Sequence, residues 1–202
     1  MIIPERSEKP VAMMPAPVPA PVPPGHLLRE NGVLMLTDKF DQAHIMPLVV
    51  QLMEWNMMPE EKAPDHVKLY INSPGGSVHS AFHLIDTIKQ SRIPVHTISM
   101  GLAASCGCLT LMSGTRGHRY ITQNTSVMSH QYSWGSQGKE HELYGKIKEF
   151  EMSSERMINH YKKCTGKSEK YIRKHLLGAT DEWLSPEEVI KHGIADHIVE
   201  TY

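Results

Sequence analysis

Cysteine is scarce in this chain, with three residues, Cys106, Cys108 and Cys164, among 202. An odd number with no secretory signal argues against a disulfide scaffold and for a reducing compartment. Cys106 and Cys108 read as small buried residues more than as metal ligands, with no second Cys or His pair at ligand spacing to join them. Neither sign of charge is in excess. Twenty-one Lys and Arg against 22 Asp and Glu leave a formal charge of −1, so nothing electrostatic calls for nucleic acid or a membrane surface. No stretch approaches the roughly 20 apolar residues that span a bilayer, and the N-terminus lacks the apolar core of a signal peptide. The protein is expected to stay where it is made, in the cytoplasm by default. A plastid stroma is the alternative, although the leader lacks the Arg- and Ser-rich look of a transit peptide. A Gly-rich phosphate loop ending in Lys-Ser/Thr is also missing.

What is present suits one folded unit with an appendage, since 202 residues at 40% hydrophobic content can bury a sizeable core. The first 25 residues hold eight of the 14 prolines, including the run from Pro15 to Pro24. Proline removes backbone donors and favours extended polyproline II, so residues 1–26 read as a flexible or semi-rigid leader. The folded domain is expected over 27–202.

Within it, Val33-Leu34-Met35-Leu36 reads as a short buried strand and Ile45 to Trp55 as an apolar helix with Pro47 near its start. Val67 to Asn72 is a strand, Ser73-Pro74-Gly75-Gly76 a turn, and Val78, Phe82, Ile85 and Ile88 fall on one face of a following helix. The unit repeats with a strand at Val95 to Met100, a turn at Gly101 to Ser105 and an apolar helix at Cys106 to Met112. Two such units imply right-handed crossovers, a parallel sheet in an α/β fold, and functional groups at the carboxyl ends of the strands. Lys139 to Lys163 is spaced for a long helix stopping near Gly166. Ser185-Pro186-Glu187-Glu188 caps a shorter one that ends at Gly193.

Ser105 closes the second glycine-rich turn, among small residues that would let a hydroxyl be presented beside backbone N–H groups. It could equally be a helix N-cap or a close-packing residue. His130 follows the β-prone run Thr125 to Ser129, at another strand end, and taken alone is a satisfied surface histidine as readily as a base. Asp181, ahead of Glu182-Trp183-Leu184-Ser185, is by itself a turn residue as readily as a catalytic one. A triad is defined by geometry, so the order Ser, His, Asp is no obstacle.

Five segments in order carry a resemblance: Leu69 to Gly76, Met100 to Ser105, Val127 to Gln131, Gln137-Gly138 and Asp181 to Ser185. From Leu27 onward the chain resembles the proteolytic subunits of the Clp protease family, serine peptidases of the ClpP/crotonase-like fold with repeated β-β-α units and a protruding handle helix. The resemblance implies Ser105 as nucleophile, His130 as general base and then acid, and Asp181 as the group orienting the imidazole. It places oxyanion-hole N–H groups at Gly75 and Cys106. Peptide substrate would pair by strand addition with the stretches holding Gly76, Ser77, Gln131 and Tyr132. The implied activity is serine endopeptidase cleavage of unfolded proteins and peptides through an acyl-enzyme. Stacked heptameric rings forming a tetradecamer are implied too, fed by an AAA+ unfoldase of the ClpX or ClpA/ClpC type. No cofactor is expected on this subunit, ATP being used by the partner ATPase, and neither nucleic acid nor membrane is expected.

The sequence departs from the family pattern at four places. The leader is proline-rich. Cys106 stands where the family usually has methionine. Ala179 and Thr180 stand where many members carry an acidic residue and an arginine that bridge the rings, and Tyr132 replaces a proline after His-Gln. Two other functions fit parts of the pattern. One is a non-catalytic structural or regulatory subunit of a mixed ring. The other is a crotonase-type acyl-CoA enzyme, which shares the paired N–H oxyanion hole and does not need Ser105 or His130. An α/β-hydrolase esterase would need Gly-x-Ser-x-Gly, where Ala103 stands in place of the first glycine.

Overall fold

The computed structural model describes residues 25–200. The leader's polyproline run lies outside the described residues. A short helix α1 (His26–Glu30) leads into β1 (Val33–Leu36), α2 (Gln42–Met57), β2 (Val67–Ser73), α3 (Val78–Gln90), β3 (Val95–Ala104) and α4 (Cys106–Met112). Then come β4 (Arg119–Thr122), β5 (Ser126–Ser129), α5 (Glu140–Thr165), α6 (Glu169–His175), β6 (Glu182–Leu184), α7 (Pro186–His192) and β7 (His197–Val199). No described helix is long and apolar enough to cross a membrane.

The sheet runs β1-β2-β3-β4-β7 in parallel pairs, as two successive strand–turn–helix units require. It forks at β3, whose first half pairs with β4 and whose second half pairs with β5. β5 in turn pairs antiparallel with β6. Along β2 the side chains alternate, so Val67, Leu69 and Ile71 point into the core beneath α3 and α4 while Lys68 and Asn72 face outward. The apolar face predicted for α3 enters the same core through Leu84, Ile85 and Ile88. The result is a mixed α/β architecture with a mostly parallel sheet, as expected from the sequence.

Three local expectations change. The turn predicted from Gly101 to Ser105 is strand as far as Ala104, because Leu102 to Ala104 find partners on β5 and Ala103 lies opposite Ser73. Gly101 takes φ +83 there and bends the strand without ending it, and Leu102 N–H then reaches Asn72 Oδ1 at 3.1 Å. Helix α2 starts at Gln42, capped by Asp41, whose side chain accepts from His44 N–H, so Pro47 lies inside the helix instead of near its start. The helix at His26–Glu30 begins inside the stretch assigned to the leader. By contrast, α5 ends on Gly166 at φ +71, and α7 carries the predicted Ser185–Glu188 capping box with Gly193 at its C-cap.

Candidate active site

The end of β3 and the start of α4 meet at Ser105, whose φ of 54° and ψ of −117° make it the one non-glycine residue with positive φ among those described. Such a conformation costs about 1–3 kcal/mol and persists only where its surroundings enforce it. Two contacts do so here. Ser105 N–H donates to Met128 O at 2.9 Å, tying the elbow to β5. On the other side Gly75, at φ +92, packs so closely that a Cβ on it would lie 2.6 Å from Ser105 Cβ and 2.8 Å from Ala104 O. Although Ser105 occupies the N-cap position of α4, its side chain caps nothing. Its hydroxyl lies 2.8 Å from His130 Nε2.

His130 follows β5 directly, two residues after the Met128 carbonyl that holds Ser105. The residues on either side of it are fixed. Ser129 Oγ donates to Leu176 O and meets Tyr161 OH at 2.7 Å, while the Gln131 amide donates to Leu177 O and Gly178 O at 3.2 and 3.0 Å. The imidazole is therefore held on the serine by backbone position, which is a more specific arrangement than a satisfied surface histidine.

Asp181 is brought near but not into contact. The β5–β6 register sets Ser129 against Glu182, so one step further places His130 opposite Asp181. Its carboxylate is exposed, and among the described residues no hydrogen bond joins it to His130. The structure thus joins two members of the expected triad and leaves the third adjacent in register.

The N–H groups expected to face an oxyanion are not equally free. Gly75 is buried and its N–H already donates to Ser73 Oγ at 3.1 Å. Gly76, at φ +145, is exposed beside the serine, and a Cβ there would collide with Phe40 O at 2.5 Å. One edge of this segment is taken by Phe40, through Phe40 N–H to Gly75 O and Ser77 N–H to Phe40 O. Among the described residues no hydrogen bond engages Gly76 N–H. Cys106 opens α4, so its N–H has no intrahelical partner. Its thiol donates to Gly76 O at 3.2 Å, and burial pushes it up to about 11. Cys108, fully buried, is pushed by burial to about 12. Neither thiol forms a thiolate near neutral pH, so neither competes with Ser105 as a nucleophile. His160 is equally unsuited to acid–base work, because burial drops it to about 4 while it hydrogen-bonds Leu109 O at 2.9 Å.

A cavity of about 220 Å³ opens beside Ser105 and His130 and is walled by Val78, Leu109, Met157 and the ring of Tyr161. Helical spacing marks these four as inward-facing, but only the assembled fold shows that they face the serine. Tyr132 lines the same cavity and stacks on Phe150 of α5 at 5.4 Å, so the residue in the family's proline position joins the loop to the long helix. Ser77 caps α3 by accepting from Ser80 N–H at 3.3 Å. His79, unremarked in the sequence, reaches Glu149 on α5 at 3.1 Å across the cavity mouth.

The Clp protease family model matches residues 24–202. This chain belongs to the Clp protease family. One relative, named ATP-dependent Clp protease proteolytic subunit 2, from Corynebacterium diphtheriae, is 32% identical over 175 residues, covering 87% of this chain and 85% of that one. The Clp protease assignment carries a peptidase subunit and the ClpP/crotonase-like fold with it, in agreement with the parallel, forked sheet.

Proposed function

We propose that this chain is a serine endopeptidase acting through Ser105 and His130. The observation that carries the reading is the 2.8 Å contact between Ser105 Oγ and His130 Nε2 at a strained elbow. With Nδ1 carrying the imidazole proton, Nε2 accepts the hydroxyl proton as Oγ attacks the scissile carbonyl. The imidazolium then gives that proton to the leaving amine, and the acyl-enzyme remains on Ser105. Water, deprotonated by the same nitrogen, hydrolyses the ester and restores the serine. The oxyanion faces Cys106 N–H and, because Gly75 N–H is engaged by Ser73, the N–H of Gly76. Asp181 completes the triad by turning toward Nδ1, a short movement given its place opposite His130 in the β5–β6 register. Gly76 and the segment after His130 offer backbone to an extended peptide, which gives binding with little sequence demand, and the apolar cavity walls favour an apolar side chain before the cleaved bond.

The subunit works in stacked heptameric rings, with an AAA+ unfoldase consuming ATP and delivering unfolded chains, in the cytoplasm. The name of the Corynebacterium relative supports the ATP dependence, and the long α5 supports the stacking.

A second reading, a non-catalytic ring subunit, draws on the exposed and unengaged carboxylate of Asp181. Labelling with a fluorophosphonate followed by intact mass and peptide mapping separates the two. Stoichiometric adduct on Ser105, absent from Ser105→Ala, is expected. No adduct on protein that forms stacked rings would establish the structural subunit and overturn the catalytic assignment.

A further inference from the structure

At the opposite end of β3 from Ser105, the C-terminal ends of α3, α4 and α5 enclose a second cavity of about 360 Å³. Five cationic side chains line it, Lys89, Arg92, Arg116, Arg119 and Lys163, and no carboxylate does. Their charges are compensated very unequally. Arg119 is buried and its guanidinium is matched by Asp196 at 2.5 Å. Arg92 donates to the carbonyls of Asn56 and Met58, which bring no net charge. Lys89, Arg116 and Lys163 are exposed, and among the described residues none has an ion pair or hydrogen bond.

Cations at helix C-termini are ordinary, because each terminus carries roughly half a negative charge. Three termini therefore offset about 1.5 of the four positive charges left after Asp196 is counted, leaving an excess of about 2.5. The excess surrounds a concavity, where charges of one sign with low-dielectric walls focus their field on a ligand. Two guanidinium forks and two ammonium groups are the donors that recognise phosphate oxygens.

We propose that this cavity binds a small molecule carrying several phosphate charges, held chiefly by Lys89, Arg116 and Lys163. The site is independent of the catalytic assignment. Cys164 also lines the cavity, and it is buried, as Cys106 and Cys108 are.

The test titrates inorganic triphosphate, and separately ATP without divalent metal, into the full-length protein by calorimetry. Binding that is at least about tenfold weaker in the Lys89→Gln, Arg116→Gln, Lys163→Gln triple variant is expected. Equal affinity for the two probes makes the phosphate chain the recognised group, while a preference for ATP makes the ligand a nucleotide held partly by the apolar wall at Ile93 and Met112. No heat up to about 5 mM probe, or undiminished binding in the triple variant, overturns the site. If the triple variant melts early, the single variants Arg116→Gln and Lys163→Gln carry the same comparison, since both side chains are exposed.

Discussion

Two residues around the Ser105–His130 pair test the proposed chemistry. Asp181 is exposed and makes no hydrogen bond among the described residues, so it contributes nothing evident to folding. If it turns onto His130 during catalysis, Asp181→Ala should leave the melting temperature unchanged while lowering peptide turnover by about 10³- to 10⁴-fold, as loss of a triad acid does elsewhere. Unchanged turnover would show that His130 works without it. Gly75 makes the contrasting case. With φ +92 and no room for a Cβ against Ser105 Cβ and Ala104 O, Gly75→Ala should cost at least about 2 kcal/mol and abolish fluorophosphonate labelling. Chemical denaturation and labelling check both, and full labelling in a stable variant would show that the elbow does not depend on this packing. Ser105 and His130 were legible because each ends a β-prone run and each sits in a segment that the family shares. The engagement of Gly75 N–H was not legible, because nothing in Ser-Pro-Gly-Gly indicates that Ser73 Oγ takes it.

Among the elements, those with strong periodicity or caps were readable: β2, α3, α4, α5 and α7. Short strands β4, β6 and β7, and the seven-residue α6, were not, because they are held by partners distant in sequence. β7 shows how. It pairs with β4, and just before it Asp196 binds Arg119 at 2.8 and 2.5 Å while accepting the N–H groups of Gly117 and Arg119. Arg119 also donates to Cys164 O and Gly193 O, so one guanidinium joins β4, α5 and the loop before β7. Burial alone would raise the Asp196 carboxyl, but the hydrogen bonds and charge of Arg119 outweigh it and hold the group below its usual value. A depressed carboxylate contributes stability above its unfolded value of 3.8 and loses that contribution as pH falls through the folded value below it. Asp196→Asn should therefore destabilise by about 3 kcal/mol at neutral pH, by leaving Arg119 buried and unpaired. The gap to wild type should close as acid protonates Asp196 in both folded and unfolded chains. Urea denaturation across pH 7 to 2 measures this, and a gap that does not vary with pH would remove the ion pair from the account.

At the scale of the whole molecule, the front of α5 is the part that the chain itself does not explain. The helix runs from Glu140 to Thr165, yet its buried residues begin only at Ser153. Glu149 and Phe150 already meet His79 and Tyr132, so the stretch ahead of them, about 13 Å at 1.5 Å per residue, stands off the core, and a helix of that length is marginal in water without packing. The front half of α5 carries exposed apolar side chains, Tyr144 at 66%, Ile147 at 44% and Met152 at 51%. Burying what remains exposed of each would gain about 1 kcal/mol, and Tyr144 and Ile147 are three residues apart, on neighbouring positions of one side. In the stacked rings proposed above, a second copy of the same helix would cover such a surface. Ala179 and Thr180 offer no charge for an ionic bridge between rings, so in the proposed assembly apolar contact would have to take its place. Ile147→Glu puts a charge into the seam and should convert the stacked assembly to single rings. Analytical ultracentrifugation would then show the sedimenting mass halved, while each subunit keeps its melting temperature because Ile147 packs against nothing in its own core. An unchanged assembly mass in the variant would place the ring contact elsewhere and leave the exposed face of α5 to a different partner.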